Sequence, residues 1–256
     1  MNPDLKDALA AQLLAMADDE LILGHRDSEW CGHAPILEED IAFANIALDE
    51  IGHAVIWYSL LADLRGEDRD VYPNRLVYHR DLPDFRCAQL VEYPKGDWAF
   101  SMLRQYLFDA YEKVLLDCLM TSKYPPLAEA AAKMRPEEIY HLRHTQAWVR
   151  RLGLGTAESN RRMQAALEQL WPEMLCIFEP LPAEKLLVEE GYLPDRAEVY
   201  QQWSSMVTPF LHDANLQMLP PSNGTHRRSR HEHSPHLKLL LDSLQEVARL
   251  YPDAGW

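Results

Sequence analysis

The sequence predicts an all-α protein built on four antiparallel helices joined by one long crossover. Three observations point there: only 10 of 256 residues are glycine, apolar residues recur at three- and four-residue intervals over long stretches, and strand-like alternation is scarce. With 47% hydrophobic and 25% charged residues, the chain can bury a substantial core and is expected to form one domain over residues 1–256.

The first helix is expected from Pro3 to His25, ending before a loop from Asp27 to Pro35. Pro35 suits the start of a second helix, because its missing N–H is not needed there, and Arg65-Gly66 closes that helix after Leu64. Residues Glu67 to Lys95 contain Pro73, Pro83 and Pro94 without a sustained period, so they read as a crossover with room for one short helix. A third helix is expected from Asp97 to Ser122. Pro125-Pro126 breaks the chain before a fourth, Leu127 to Leu152, which Gly153 and Gly155 close and Pro136 interrupts. Short links make each pair antiparallel, and a single long crossover between pairs is the ferritin-like topology. The core bundle thus spans about residues 3–152. A C-terminal helical extension, about 156–256, holds helices near Ser159–Phe178, Arg196–Leu216 and Pro235–Leu250, with no linker to set it apart.

Composition narrows the function. Asp plus Glu number 40 against 25 Lys plus Arg, and a net charge of −15 disfavours phosphate backbones and anionic lipid, so no nucleic-acid and no membrane partner is expected. The N-terminal stretch carries acids among its apolar residues and reads as an amphipathic helix rather than a signal peptide. Cys31, Cys87, Cys118 and Cys176 lack CxxC spacing, as expected of a chain in the reducing cytoplasm. Trp30, Trp57, Trp98, Trp148 and Trp203 are expected to be core or interface aromatics.

Two ExxH motifs stand out, Glu50-Ile51-Gly52-His53 in the second helix and Glu138-Ile139-Tyr140-His141 in the fourth. The i, i+3 spacing puts each pair on one helix face. One such motif is weak evidence; placement adds the rest. Glu50 continues the inward stripe of Phe43, Ile46 and Ala47, and Glu138 with His141 lies on the stripe of Met134, Thr145 and Trp148. Glu20 interrupts an apolar stripe of the first helix, and Asp109 lies a heptad from Met102 and Leu116 in the third. Glu20 precedes Glu50 by 30 positions and Asp109 precedes Glu138 by 29, so both hairpins bring their acids to a similar height. A carboxylate from each of two helices plus ExxH from each of two others is the ligand set of dinuclear iron and manganese carboxylate proteins. Four buried carboxylates are costly without compensation, and two divalent cations supply it. Glu50 and Glu138 are expected to bridge, Glu20 and Asp109 to bind terminally, and His53 and His141 each to hold one ion. The alternative is a polar layer satisfied by hydrogen bonds from partners such as Arg104 and Tyr106. Glu112 competes with Asp109 but is expected in solvent; Glu137 and His144 are expected at the surface or just outside the site. No catalytic residue beyond the metal ligands is assigned.

The blocks Glu29-Trp30-Cys31-Gly32-His33-Ala34-Pro35 and Ala44-Asn45-Ile46-Ala47-Leu48-Asp49 resemble the C subunits of phenylacetyl-CoA epoxidase complexes. So do Arg104-Gln105-Tyr106 with Asp109-Ala110, Tyr140-His141-Leu142-Arg143, His231-Glu232-His233 and the ending Pro252 to Trp256, so the likeness covers nearly the whole chain. The resemblance implies a subunit that pairs with a homologous catalytic A subunit and other components to epoxidise an aromatic acyl-CoA with dioxygen. Its electrons would come from NADPH through a separate FAD and iron–sulfur reductase. In that family the working di-iron centre is generally assigned to the A subunit and C subunits are regarded as structural. This sequence departs by carrying every ligand position, including His53 where the family often has Gln. An auxiliary role is therefore expected, with a dinuclear iron or manganese site retained; the alternatives are an independently catalytic oxygenase or oxidase and a metal-storage or homo-oligomeric assembly protein. The basic run Arg227, Arg228, Arg230, His231 and His233 reads as a contact for coenzyme A phosphates or an acidic partner face, or as a solvated loop.

Overall fold

The computed structural model describes residues 1–218, 229–252 and 254, and among them the chain is all-α, without a strand. Arg227 and Arg228 lie outside the described residues.

Helix α1 (Pro3–Ser28) starts where the Asn2 side chain accepts the Leu5 N–H at 2.8 Å. It runs past His25 because Arg26 and Asp27 are buried and paired: Arg26 donates to the Glu92 carbonyl, and Asp27 accepts from Arg104 at 2.9 Å. Helix α2 (Leu37–Arg65) begins two residues after Pro35, since Ile36 is extended, and Gly66 ends it in the left-handed conformation at φ 75°. The crossover carries two short helices rather than one, α3 (Tyr72–Tyr78) and α4 (Gln89–Glu92), with a 3-10 turn at Leu82–Asp84 between them. Helix α5 (Trp98–Leu119) is capped by Asp97. Helix α6 (Pro125–Gly153) takes in both prolines expected to precede it, because the first turn needs no N–H, and it contains Pro136. Then follow α7 (Ala157–Cys176), opened by a Thr156/Ser159 capping box, a short α8 (Glu184–Glu189), α9 (Arg196–Asp213) and α10 (Pro235–Leu250). Asn215, left-handed at φ 61°, stops α9 before the expected Leu216.

Two side-chain contacts mark the ends of the bundle. Arg65 reaches Asp7 at 2.6 Å, so α2 ends beside the start of α1. At the other end the Trp30 indole donates to Ser101 at 2.8 Å, so α5 starts where α1 finishes. The chain from 66 to 97 therefore travels the length of the bundle, which is the ferritin-like crossover. It also makes α5 parallel to α2 and α6 parallel to α1. Helices α7 and α9 pack on the outer side of α5, where Trp203 donates to the Leu107 carbonyl at 3.2 Å. Trp57 and Trp203 are fully buried, as expected of core aromatics. At Gly24, a Cβ would stand 2.9 Å from the Ala47 carbonyl oxygen and from the Glu50 Cβ. That close approach brings α1 against α2 beside Glu50.

Candidate metal centre

Glu20 on α1, Glu50 and His53 on α2, Asp109 on α5, and Glu138 and His141 on α6 are all buried in one region of the bundle. Their ligand atoms form two groups, Glu20–Glu50–His53 and Glu50–Glu138–His141, each with its atoms within 4.8 Å of one another. Glu50 belongs to both. His53 Nδ1 lies 3.4 Å from Glu138, and His141 Nδ1 lies 3.0 Å from Glu138 and 3.5 Å from Glu50. Asp109 belongs to neither group: Gln105 donates to one of its oxygens at 2.8 Å and Thr145 to the other at 2.7 Å.

Both histidines point Nδ1 inward and Nε2 outward. His53 Nε2 lies 2.8 Å from Glu137 on α6, and His141 Nε2 lies 3.2 Å from Asp49 on α2. Each ring is thus oriented by the acid that precedes the ExxH glutamate of the opposite helix. Such a carboxylate fixes the tautomer that leaves the other nitrogen free for a cation. Asp49 was not anticipated; the signal for it was an acid directly before both motifs, Asp49-Glu50 and Glu137-Glu138. His144 pairs with Glu39 at 2.9 Å instead of joining the site. Glu112, expected in solvent, is buried one turn after Asp109.

The two donors expected for a polar layer, Arg104 and Tyr106, make no hydrogen bond to these acids among the described residues. Arg104 binds Asp27 and the Tyr93 carbonyl, and the Tyr106 hydroxyl has no partner among the described residues. Other buried acids of α1 each have an arginine: Asp18 has Arg80, Asp19 has Arg230 and Asp27 has Arg104. Glu20 has none. Both its oxygens, Oε2 of Glu50, Oε2 of Glu138 and Nδ1 of His53 are buried without a hydrogen-bond partner among the described residues. An unmatched buried carboxylate costs several kcal/mol or stays protonated, so hard oxygen and imidazole donors left unmatched in this arrangement fit a pair of divalent cations.

Arg230 departs from the expected exposed basic run. It is buried, and its guanidinium holds Asp19 at 2.8 Å and the Arg86 carbonyl at 2.9 Å. A guanidinium consumed by a buried carboxylate is not available to a coenzyme phosphate. His233 is likewise engaged, with Glu92 at 2.7 Å. Cys87, Glu92 and His233 do form a third compact group, but the other Glu92 oxygen takes the Ser234 N–H at 2.6 Å and His233 Nε2 lies on the Phe85 carbonyl. These hydrogen bonds satisfy the group and tie the C-terminal segment to the crossover.

The site holds protons where no cation compensates it. Burial and the charge of Glu50 push Glu20 well above the carboxylate range, and burial also raises Asp109, Glu112 and Glu138. Burial pushes Glu50 up too, but the neighbouring Glu20 carboxyl and His141 outweigh it and hold Glu50 at about 2. Burial lowers His141, yet the adjacent Glu138 and Asp49 carry it well above its ordinary value. Burial takes Asp27 to about 7 in spite of Arg104. Groups raised in the folded chain stabilise it fully at low pH and lose that contribution as pH climbs through the raised values. The metal-free protein should therefore melt at a lower temperature at about pH 8.5 than at about pH 6, and cations that displace these protons should bind more tightly at the higher pH. Melting curves with and without Mn²⁺ check this: the metal-induced rise should be larger at about pH 8.5, and a rise that shrinks with pH would contradict it.

Fold and site together define a ferritin-like four-helix protein whose core assembles buried carboxylates and histidines that could hold metal. Comparison with known proteins narrows the class: residues 1–256 match the family described as phenylacetic acid catabolic protein, and the chain belongs to that family. It is 37% identical over 251 residues to the C subunit of 1,2-phenylacetyl-CoA epoxidase from Escherichia coli (strain K12), an alignment that covers 97% of this chain and 99% of that one.

Proposed function

We propose that this chain is a companion subunit of a phenylacetyl-CoA ring epoxidase, assembling with a homologous catalytic A subunit while retaining a metal-binding core of its own. The observation that carries the proposal is the match to the C subunit of the Escherichia coli enzyme, which covers 97% of this chain and 99% of that one. The chain works in the cytoplasm in this reading, consistent with four free thiols and with no helix among the described residues long and apolar enough to cross a membrane.

Iron or manganese would be held by Glu20, Glu50 and His53 on one side and Glu50, Glu138 and His141 on the other. Such ions supply the one-electron chemistry that dioxygen requires, with reducing equivalents from NADPH through a separate FAD and iron–sulfur reductase. The chain's own part is to keep the donors aligned through Asp49 and Glu137 and to exclude water. An acyl-CoA contact, if this protein contributes one, is carried by Arg227 and Arg228 rather than by Arg230.

The test is co-purification with the A subunit, followed by phenylacetyl-CoA epoxidation with Glu50 and Glu138 of this chain changed to Ala. A complex that assembles and turns over at an unchanged rate is expected. Lost turnover in an intact complex would instead place chemistry in this chain, the second reading, which the uncompensated Glu20 favours. Oxygen-dependent turnover by the isolated chain with a reductant would establish that second reading.

A further inference from the structure

We infer that the end of the bundle where α2 closes carries an accessory small-molecule site, a pocket beside α3 that takes a single-ring aryl carboxylate. The pocket reaches Arg65, about three turns beyond His53 along α2, so it lies apart from the metal-binding core and does not rest on that reading.

A cavity of about 350 Å³ opens there between α1, the end of α2, α3 and the C-terminal segment. Leu61 is buried and Leu14, Tyr72 and Leu76 are half-buried, which makes an apolar floor. Arg65 and His231 are exposed and Arg86 is half-buried, which makes a basic rim. Asp7 is the one acid of the lining among the described residues. For a chain of net charge −15, three basic groups against one carboxylate reverse the average character of the surface.

The three basic groups differ in what already holds them. Arg65 is matched by Asp7 at 2.6 Å. Arg86 has no carboxylate partner among the described residues: its Nη1 donates to the Pro83 carbonyl at 2.7 Å and to the Phe85 carbonyl at 2.5 Å, while Nε and Nη2 make no hydrogen bond there. Those two nitrogens form the edge with which a guanidinium grips a carboxylate through parallel N–H···O bonds. The carbonyls therefore fix the group and leave its fork open. Burial, Arg86 and His233 hold His231 below its ordinary pKa, so at about pH 7.5 its ring is neutral, with one N–H to donate. One unmatched positive charge calls for one negative charge, which favours a monocarboxylate over a phosphate dianion. The floor calls for an apolar body, since a bare ion would gain nothing from it. A volume near the lower end of the roughly 300–1,000 Å³ that small-molecule sites span limits that body to about one ring.

The experiment is isothermal titration calorimetry of the full chain with benzoate, with benzamide as the uncharged analogue of the same shape and acetate as the ringless one. Benzoate should saturate one site per chain with a Kd of about 1 mM or tighter. Benzamide and acetate should each bind at least about tenfold more weakly, the first for want of charge and the second for want of a ring. Arg86→Gln should weaken benzoate by about tenfold or more, and Arg86→Lys, which keeps the charge without the fork, should recover only part of that loss. Ala11→Phe, which places a ring in the cavity from the half-buried side of α1, should abolish binding. Melting curves without ligand show that each variant is folded. Failure of benzoate to saturate by about 10 mM, equal binding of benzoate and benzamide, or benzoate binding unchanged in a folded Arg86→Gln or Ala11→Phe protein would overturn the assignment.

Discussion

Changing Glu50 to Ala should abolish binding of both ions, whereas changing Glu20 to Ala should remove one. Glu50 is the side chain common to the two compact ligand groups, and Glu20 belongs to a single group. Bridging ligands couple the two positions, because each cation offsets the charge that would otherwise repel the other's donors. Without Glu50 the Gln105 amide also loses its 2.6 Å acceptor, so the α5 side loosens at the same time. Elemental analysis after reconstitution reads the outcome directly. A Glu50→Ala protein that still holds about one tightly bound ion would show that the two positions are independent and that Glu50 does not bridge them.

Replacing Arg230 with Ala should cost about 3–5 kcal/mol of stability, the usual penalty for removing one partner of a buried ion pair. Both partners are almost fully enclosed, and burial already pushes Asp19 above its ordinary pKa even with Arg230 in place. Two connections are lost together: the one to Asp19, which links the C-terminal segment to α1, and the one to the Arg86 carbonyl. For a chain of this size the melting temperature should fall by roughly 10 °C. Adding Asp19→Asn to Arg230→Ala should recover part of the loss, because an amide is less costly to bury than an unpaired carboxylate. A single variant that melts within a degree or two of the parent would mean that Arg230 is exposed in solution, and the reading of the basic run as a phosphate contact would regain its third arginine.

Much of the site was legible because it breaks a pattern. Glu20, Glu50, Glu138 and His141 occupy positions where helical periodicity demands apolar residues, and an acid at such a position needs a physical reason to be there. Asp49 and Glu137 were less visible, since each lies at the edge of its helix, where a carboxylate is ordinary; only their repetition before both motifs marked them. Glu112 failed to stand out for a different reason. Amphipathic reasoning assumes one wet face, and α5 has almost none. The same limit applies to α1, whose Asp18, Asp19 and Asp27 look like surface acids until the distant arginines that neutralise them are in place. Helices α3, α4 and α8 are too short for a period to emerge, and the prolines at 125 and 126 signal a helix start as readily as a break.

The arginines that neutralise α1 also set when its charges can be matched as the chain folds. Asp18 waits for Arg80 and Asp19 for Arg230, so the first helix made is also one of the last whose charges are settled. A nascent chain that has released all four bundle helices from the ribosome still carries an unmatched acid one residue from Glu20. Expression of residues 1–155 alone is therefore expected to give a loosely packed bundle, and supplying the missing C-terminal piece as a separate peptide should tighten it.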